Sequence, residues 1–99
     1  MMTMTWEEKL AALQALGDTS LRMRKPGDWY VSPSSRDVWE RGSGVLVSVY
    51  GNGSTPQEAV EDDWRKMTEL DANCVVVINA RGSNRRQVIW NGYMWRDVP

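Results

Sequence analysis

The chain has 99 residues, 12 basic and 13 acidic side chains, six tryptophans, and neither histidine nor phenylalanine. Without histidine, the usual general base near neutral pH and the commonest metal ligand are absent. A net charge of −1 predicts no global field that would hold nucleic acid or an anionic membrane. We therefore expect a non-enzymatic protein without metal or small-molecule cofactor, folded as one domain over residues 1–99.

The single cysteine and the short apolar runs help to predict the cellular compartment of the protein. Cys74 has no partner for an intramolecular disulfide, and it precedes a Val-Val-Val-Ile run, so we expect a small buried hydrophobe. Residues 1–4 lack the charged and apolar regions of a signal peptide. The apolar runs are far shorter than the roughly 20 residues of a membrane span. These features predict a cytoplasmic protein without membrane association.

Two amphipathic helices are predicted. Thr5 and Glu8 have the spacing of a capping box at the start of a helix over residues 5–16. Thr55 and Glu58 have the same spacing before the second helix, with Pro56 at its first position. Apolar residues at helical spacing predict the buried stripes, which are Trp6, Leu10, Leu13 and Leu16 in the first helix, and Val60, Trp64, Met67 and Leu70 or Asp71 in the second. The pairs Glu61–Arg65 and Asp62–Lys66 are typical of a solvated helix face.

The remaining segments are predicted as strands and turns. Leu21 to Arg24 alternate in polarity before Pro26-Gly27, which is typical of a type II turn leading to a strand at 29–31. Residues 38–40 and 45–50 favour two more strands, the second with a β-branched face. The run 74–78 is predicted as a strand buried on both faces in the middle of a sheet. The fold class is therefore α+β, with two helices packed on a mainly antiparallel sheet in the order helix, strands, helix, strands.

Asn91-Gly92 lies between two apolar runs and predicts a terminal hairpin with a two-residue type I′ turn. In that register Trp90 pairs with Tyr93 and Val88 with Trp95, and all four lie on one face. Two interpretations stay open: the aromatic face is core, or it is exposed to a partner.

Arginines precede this hairpin, and arginine beside tryptophan and tyrosine is the composition of an interaction hot spot. The candidate partner-binding residues are Arg81, Arg85, Arg86, Trp90, Tyr93 and Trp95. We expect a protein partner or self-association. Nucleic acid, stacked on the rings and held by the guanidinium groups, is the alternative. A merely solvated arginine loop is the third interpretation.

Other motifs are incomplete. Gly51-Asn52-Gly53 precedes a helix but lacks the Gly-Lys-Ser/Thr ending of a phosphate-binding loop. The neighbouring acids Asp62 and Asp63 do not face each other on a helix, so they do not form a catalytic pair. A small enzyme with carboxylate chemistry remains the least favoured hypothesis.

Three resemblances accompany these patterns. Residues 53–59 resemble the helix entry of HicB-type antitoxins. The order of elements over residues 5–70 resembles double-stranded-RNA-binding domains, although the second helix here begins acidic where that family is basic. The segments 6–10, 23–31, 53–56 and 90–95 are similar to small uncharacterised accessory proteins of actinobacterial tailed phages. This last resemblance implies a non-virion protein in the host cytosol that binds a host factor.

Overall fold

The computed structural model describes residues 3–33, 36–47, 49–71, 73–79 and 84–98. These residues form two helices and eight strands, and every strand pairing is antiparallel. The elements are α1 (Trp6–Ala15), β1 (Thr19–Lys25), β2 (Asp28–Pro33), β3 (Arg36–Glu40), β4 (Leu46–Val47), β5 (Gly51–Gly53), α2 (Pro56–Thr68), β6 (Cys74–Ile78), β7 (Arg86–Trp90) and β8 (Trp95–Asp97). The α+β class and the predicted order of elements are confirmed.

The strands divide into two sheets, with the orders β1-β2-β5 and β4-β3-β6-β7-β8. β2 and β3 are consecutive along the chain but lie in different sheets. β2 pairs with β5, and β3 pairs with β4. The predicted single strand over residues 45–50 is therefore wrong. β4 in the larger sheet ends at Val47, and β5 in the smaller sheet begins only at Gly51. Residues 51–53, which precede the second helix, form the strand β5, whose glycines let it lie directly against α2.

Local signals at the helix starts are confirmed, one in full and one in part. The Thr5 hydroxyl accepts from the Glu8 amide at 3.2 Å, and the Glu8 carboxylate accepts from the Thr5 amide at 2.9 Å. The hydrogen bond from the Thr5 amide to the Glu8 carboxylate lowers the pKa of Glu8, and the Thr5 side chain adds a smaller lowering. The Thr55 hydroxyl likewise accepts from the Glu58 amide at 3.1 Å. The Glu58 carboxylate accepts from the Ser54 hydroxyl at 3.1 Å, so the second capping box is only half formed.

The first hairpin is also as predicted. Lys25 pairs with Asp28 across Pro26-Gly27, and Gly27 has a φ of +78°. A positive φ at this position is what a type II turn requires, and glycine adopts it without a steric penalty.

The core lies between the helices and the two sheets. β6 is the central strand of the larger sheet and is buried along its whole length, as predicted. Cys74 is buried at its start, and burial raises the pKa of the thiol. Leu13 of α1 and Leu16 at its C-cap belong to the same buried cluster as Val60 and Met67 of α2. Within the described ranges, no helix is long and apolar enough to cross a membrane.

Candidate interaction surface

The terminal hairpin has a different register from the predicted one. Trp90 pairs with Trp95 and Val88 with Asp97, so the connection spans the four residues 91–94. The side-chain oxygen of Asn91 accepts from the amides of Tyr93 and Met94, at 2.9 Å each. The predicted two-residue turn is therefore wrong, because the Asn91 side chain closes a wider turn by its own hydrogen bonds.

The two hairpin tryptophans face the protein interior. The ring of Trp90 lies 5.5 Å from that of Trp64 in α2, edge to face, and 5.0 Å from the ring of Trp95. Trp95 also packs against the buried cluster, and Val88 on the same face is buried. Both tryptophans are half-buried, so this part of the face lies at the edge of the core.

Tyr93 leaves that face because the turn is wider than predicted. Its side chain is 90% exposed and that of Met94 is 57% exposed, the two largest exposed fractions among the large apolar residues that the structure describes. We call these two residues the hairpin tip. Exposed Arg96 lies in β8, two residues beyond Met94.

The predicted arginines do not join the hairpin tip. Arg85 is exposed just before β7, about 17 Å along the strand from Trp90 at ~3.4 Å per residue. Arg86 donates to the Asp97 carboxylate at 2.8 Å. Arg81 lies outside the described residues. The five described residues of the predicted surface thus lie at the two ends of the hairpin and at the edge of the core.

A buried ion pair is the feature that the sequence patterns missed. Arg36 of β3 and Asp63 of α2 lie 3.2 Å apart, and both side chains are 0% exposed. Arg36 also donates to the Leu13 carbonyl of α1 at 3.0 Å and to the Thr19 hydroxyl of β1 at 3.3 Å. One guanidinium therefore joins both helices and both sheets. The available signal was the position of Asp63 on the buried stripe of α2, three residues after Val60.

Burial shapes the titration of this pair. It raises the pKa of Asp63 from its usual 3.8 to about 6, against the opposing attraction of Arg36. It also lowers the pKa of Arg36. A shifted carboxyl pKa is typical of catalytic sites. Because the Asp63 side chain has no exposed surface, a substrate has no access to it, and the pair serves to join structural elements.

Neither a metal site nor a similarity to known proteins assigns a function to this surface. Among the residues with described positions, no group of three or more His, Cys, Asp or Glu side chains is arranged to hold a metal ion. No protein-family model, curated protein or solved structure matches the chain. The described surface itself offers the exposed apolar pair at the hairpin tip.

Proposed function

We propose that the protein acts without catalysis, by binding another protein through the hairpin tip. The observation that carries this proposal is the exposure of Tyr93 and Met94, at 90% and 57%. A tyrosine supplies a large amphipathic contact area at a low cost in side-chain entropy, and such residues dominate binding hot spots. Adjacent exposed methionine adds an adaptable apolar surface.

The turn is already ordered for binding. The Asn91 side chain holds the amides of both tip residues. At the base of the turn Trp95 packs against Trp90, which in turn packs against Trp64. A partner therefore does not bear the entropic cost of ordering this loop, which favours affinity for a given contact area.

The chemistry of the tip indicates the chemistry of the partner. Tyr93 and Met94 require an apolar pocket, and exposed Arg96 nearby favours an acidic rim around that pocket. The resemblance to phage accessory proteins makes a host protein in the cytosol the partner that we expect. Self-association is the competing form of the same proposal.

Two contacts weigh against nucleic acid as the partner. Stacking a base requires an exposed ring face, whereas Trp90 and Trp95 pack against each other and Trp90 also contacts Trp64. Arg86 is engaged by Asp97. Among the predicted aromatic residues, the hairpin leaves only Tyr93 largely exposed.

The experiment compares two double variants that remove the same residue types. Y93A/M94A removes the hairpin tip, and M23A/Y50A removes a tyrosine and a methionine that are 46% and 51% exposed elsewhere. Each variant and the wild type would serve as bait in lysate of the expressing cell, with and without nuclease treatment. Captured proteins would be quantified by mass spectrometry and then tested for binding as purified components.

We expect one protein to bind wild type and M23A/Y50A equally, and Y93A/M94A at least about 30-fold more weakly, the effect of losing a hot spot. Equal binding to all three would contradict the role of the tip. Loss of capture on nuclease treatment, with a steep salt dependence, would favour nucleic acid instead. A concentration-dependent dimer that only Y93A/M94A abolishes would identify self-association.

A further inference from the structure

The longest strand that the structure describes lies at an edge of the smaller sheet. β1 spans seven residues and pairs on one side with β2. The edges formed by the other strands offer less open backbone. β4 and β8 are two and three residues long, and β5 lies against α2, whose Asp62 carboxylate accepts from the Asn52 amide at 2.9 Å. Among the described strands, β1 therefore has the longest unpaired edge.

The hydrogen-bond pattern shows which backbone groups of β1 point outward. Because the Asn52 amide donates to α2, it points away from β2, and the pair of Tyr30 and Asn52 makes no ladder hydrogen bonds. The alternation of an antiparallel sheet then directs Tyr30 toward its other partner, Arg22 of β1. Leu21 and Met23, on either side of Arg22, thus turn their amides and carbonyls to the open edge. No described backbone group bonds to these four groups.

The side chains along this edge are basic. Arg22, Arg24 and Lys25 are exposed, and β1 contains no acidic residue. Arg24 donates to the Asp28 carboxylate at 3.2 Å, whereas no described carboxylate forms an ion pair with Arg22 or Lys25. Unpaired cations beside an unpaired backbone edge favour a partner with acidic side chains.

A second copy of the chain does not fit this edge. The antiparallel register that uses all four open groups pairs Leu21 of one copy with Met23 of the other, and it places the two Arg22 side chains opposite each other. Like charges directly opposite each other destabilise a strand pair. Charges on edge strands commonly prevent such self-association, and the same charges attract an acidic strand.

We propose that β1 binds an extended segment of another protein in which acidic and apolar residues alternate. The segment adds to the sheet as a further strand, through hydrogen bonds to Leu21 and Met23. Its acidic side chains lie beside Arg22. Its apolar side chains lie on the face that Leu21 shares with buried Val31 of β2. β1 and the hairpin tip belong to different sheets, so the inference does not depend on the proposed function.

The test uses two blocked peptides of equal length, one of alternating valine and glutamate and the other of alternating valine and lysine. Proton–nitrogen correlation spectra of the labelled protein locate each peptide and give its affinity. Met23→Pro removes an outward amide and keeps the ladder with β2, since proline is tolerated on an edge strand. Met23→Ala is its matched control, because it loses the same side chain and keeps the amide. Arg22→Glu reverses the charge and keeps the test decisive if Met23→Pro does not fold.

We expect the glutamate peptide to bind saturably and to move the amide signals of Leu21 and Met23 most. The lysine peptide should bind at least about tenfold more weakly, and Arg22→Glu should reverse this order. Met23→Pro should bind the glutamate peptide at least about tenfold more weakly than Met23→Ala does. Y93A/M94A should bind it as wild type does.

Five results would overturn the proposal. They are no saturable binding, equal affinity for the two peptides, equal binding to the two Met23 variants, signal changes centred away from β1, and a concentration-dependent dimer that Met23→Pro abolishes.

Discussion

Residues 56–63 and 64–68 of α2, which we call its first and second halves, pack in opposite ways. In the first half the helix lies so close to β5 that a Cβ at Gly51 would clash with the Ala59 carbonyl oxygen and sit 2.7 Å from the Asp63 Cβ. In the second half Trp64 and Met67 face the hairpin tryptophans and a cavity of about 100 Å³. The same helix is in backbone contact with one sheet and is separated from the other by large, rigid rings.

This difference indicates which half of α2 tolerates substitutions that add volume. Where two backbones are in close contact, no side chain can rotate aside to make room. A larger residue there must displace the whole helix or strand. Large aromatic rings fill space unevenly, and the remaining void accepts volume at little cost. The first half of α2, with its buried ion pair, should therefore determine stability, and the second half should be adaptable.

The largest effect is expected from Asp63→Leu in the tightly packed half. Leucine cannot accept the hydrogen bond that the buried Arg36 guanidinium donates to Asp63, so a charged donor is left without a partner, at a cost of about 3–5 kcal/mol. Urea unfolding would measure this loss. Glu69→Gln is the control on the same helix, because the Glu69 side chain is 65% exposed in its pair with Arg65. It should change stability by less than about 0.5 kcal/mol, and an equal loss in both variants would refute the special role of the buried pair.

Gly51→Ala should follow, with a loss of about 3 kcal/mol, at the upper end of overpacking effects. The atoms that its methyl group meets include backbone atoms of α2, which cannot rotate away. Gly42→Ala is the matched control, since a Cβ there meets nothing within 4 Å. Thermal unfolding of both variants decides the matter: similar melting temperatures would show that β5 and α2 are not in close contact.

The pH dependence of stability should also report on the buried pair of Arg36 and Asp63. Because the folded-state pKa of Asp63 is raised to about 6 from 3.8, its contribution is fully present below pH 3.8. That contribution is lost as pH rises through 6. We expect wild type to lose about 2–3 kcal/mol from this group between pH 4 and 7, relative to the variant R36M/D63L, which lacks both charges. A difference that is constant or grows with pH would contradict the shifted carboxyl group.

The smallest effect is expected from adding one methyl group to the first half of α2 and one to β6, which lines the cavity beside the second half. Val60→Ile in the tightly packed half should cost about 1 kcal/mol or more through overpacking. Val76→Ile adds its methyl group beside the cavity, and should be neutral or stabilise by up to about 0.8 kcal/mol. Chemical denaturation of the pair measures the sign directly. Equal losses would mean that the two halves of α2 are packed alike.

Part of the fold was predictable because it depends on neighbouring residues. Thr5 with Glu8, and Thr55 with Glu58, form their cap hydrogen bonds within one helical turn. Pro26-Gly27 closes the first hairpin by its own backbone preferences. The candidate site was predicted less well, since Tyr93 alone of the six predicted residues lies in the hairpin tip.

The sequence by itself determined the helices, their buried stripes, the first turn and the fully buried strand β6, because each follows from hydrogen bonds and periodicity over a few residues. Tertiary structure alone decided the division into two sheets, the register of the last hairpin and the pairing of Arg36 with Asp63, which lie 27 residues apart. These depend on which distant surfaces meet. There the close approach of backbones and the volume of tryptophan rings outweigh local preference.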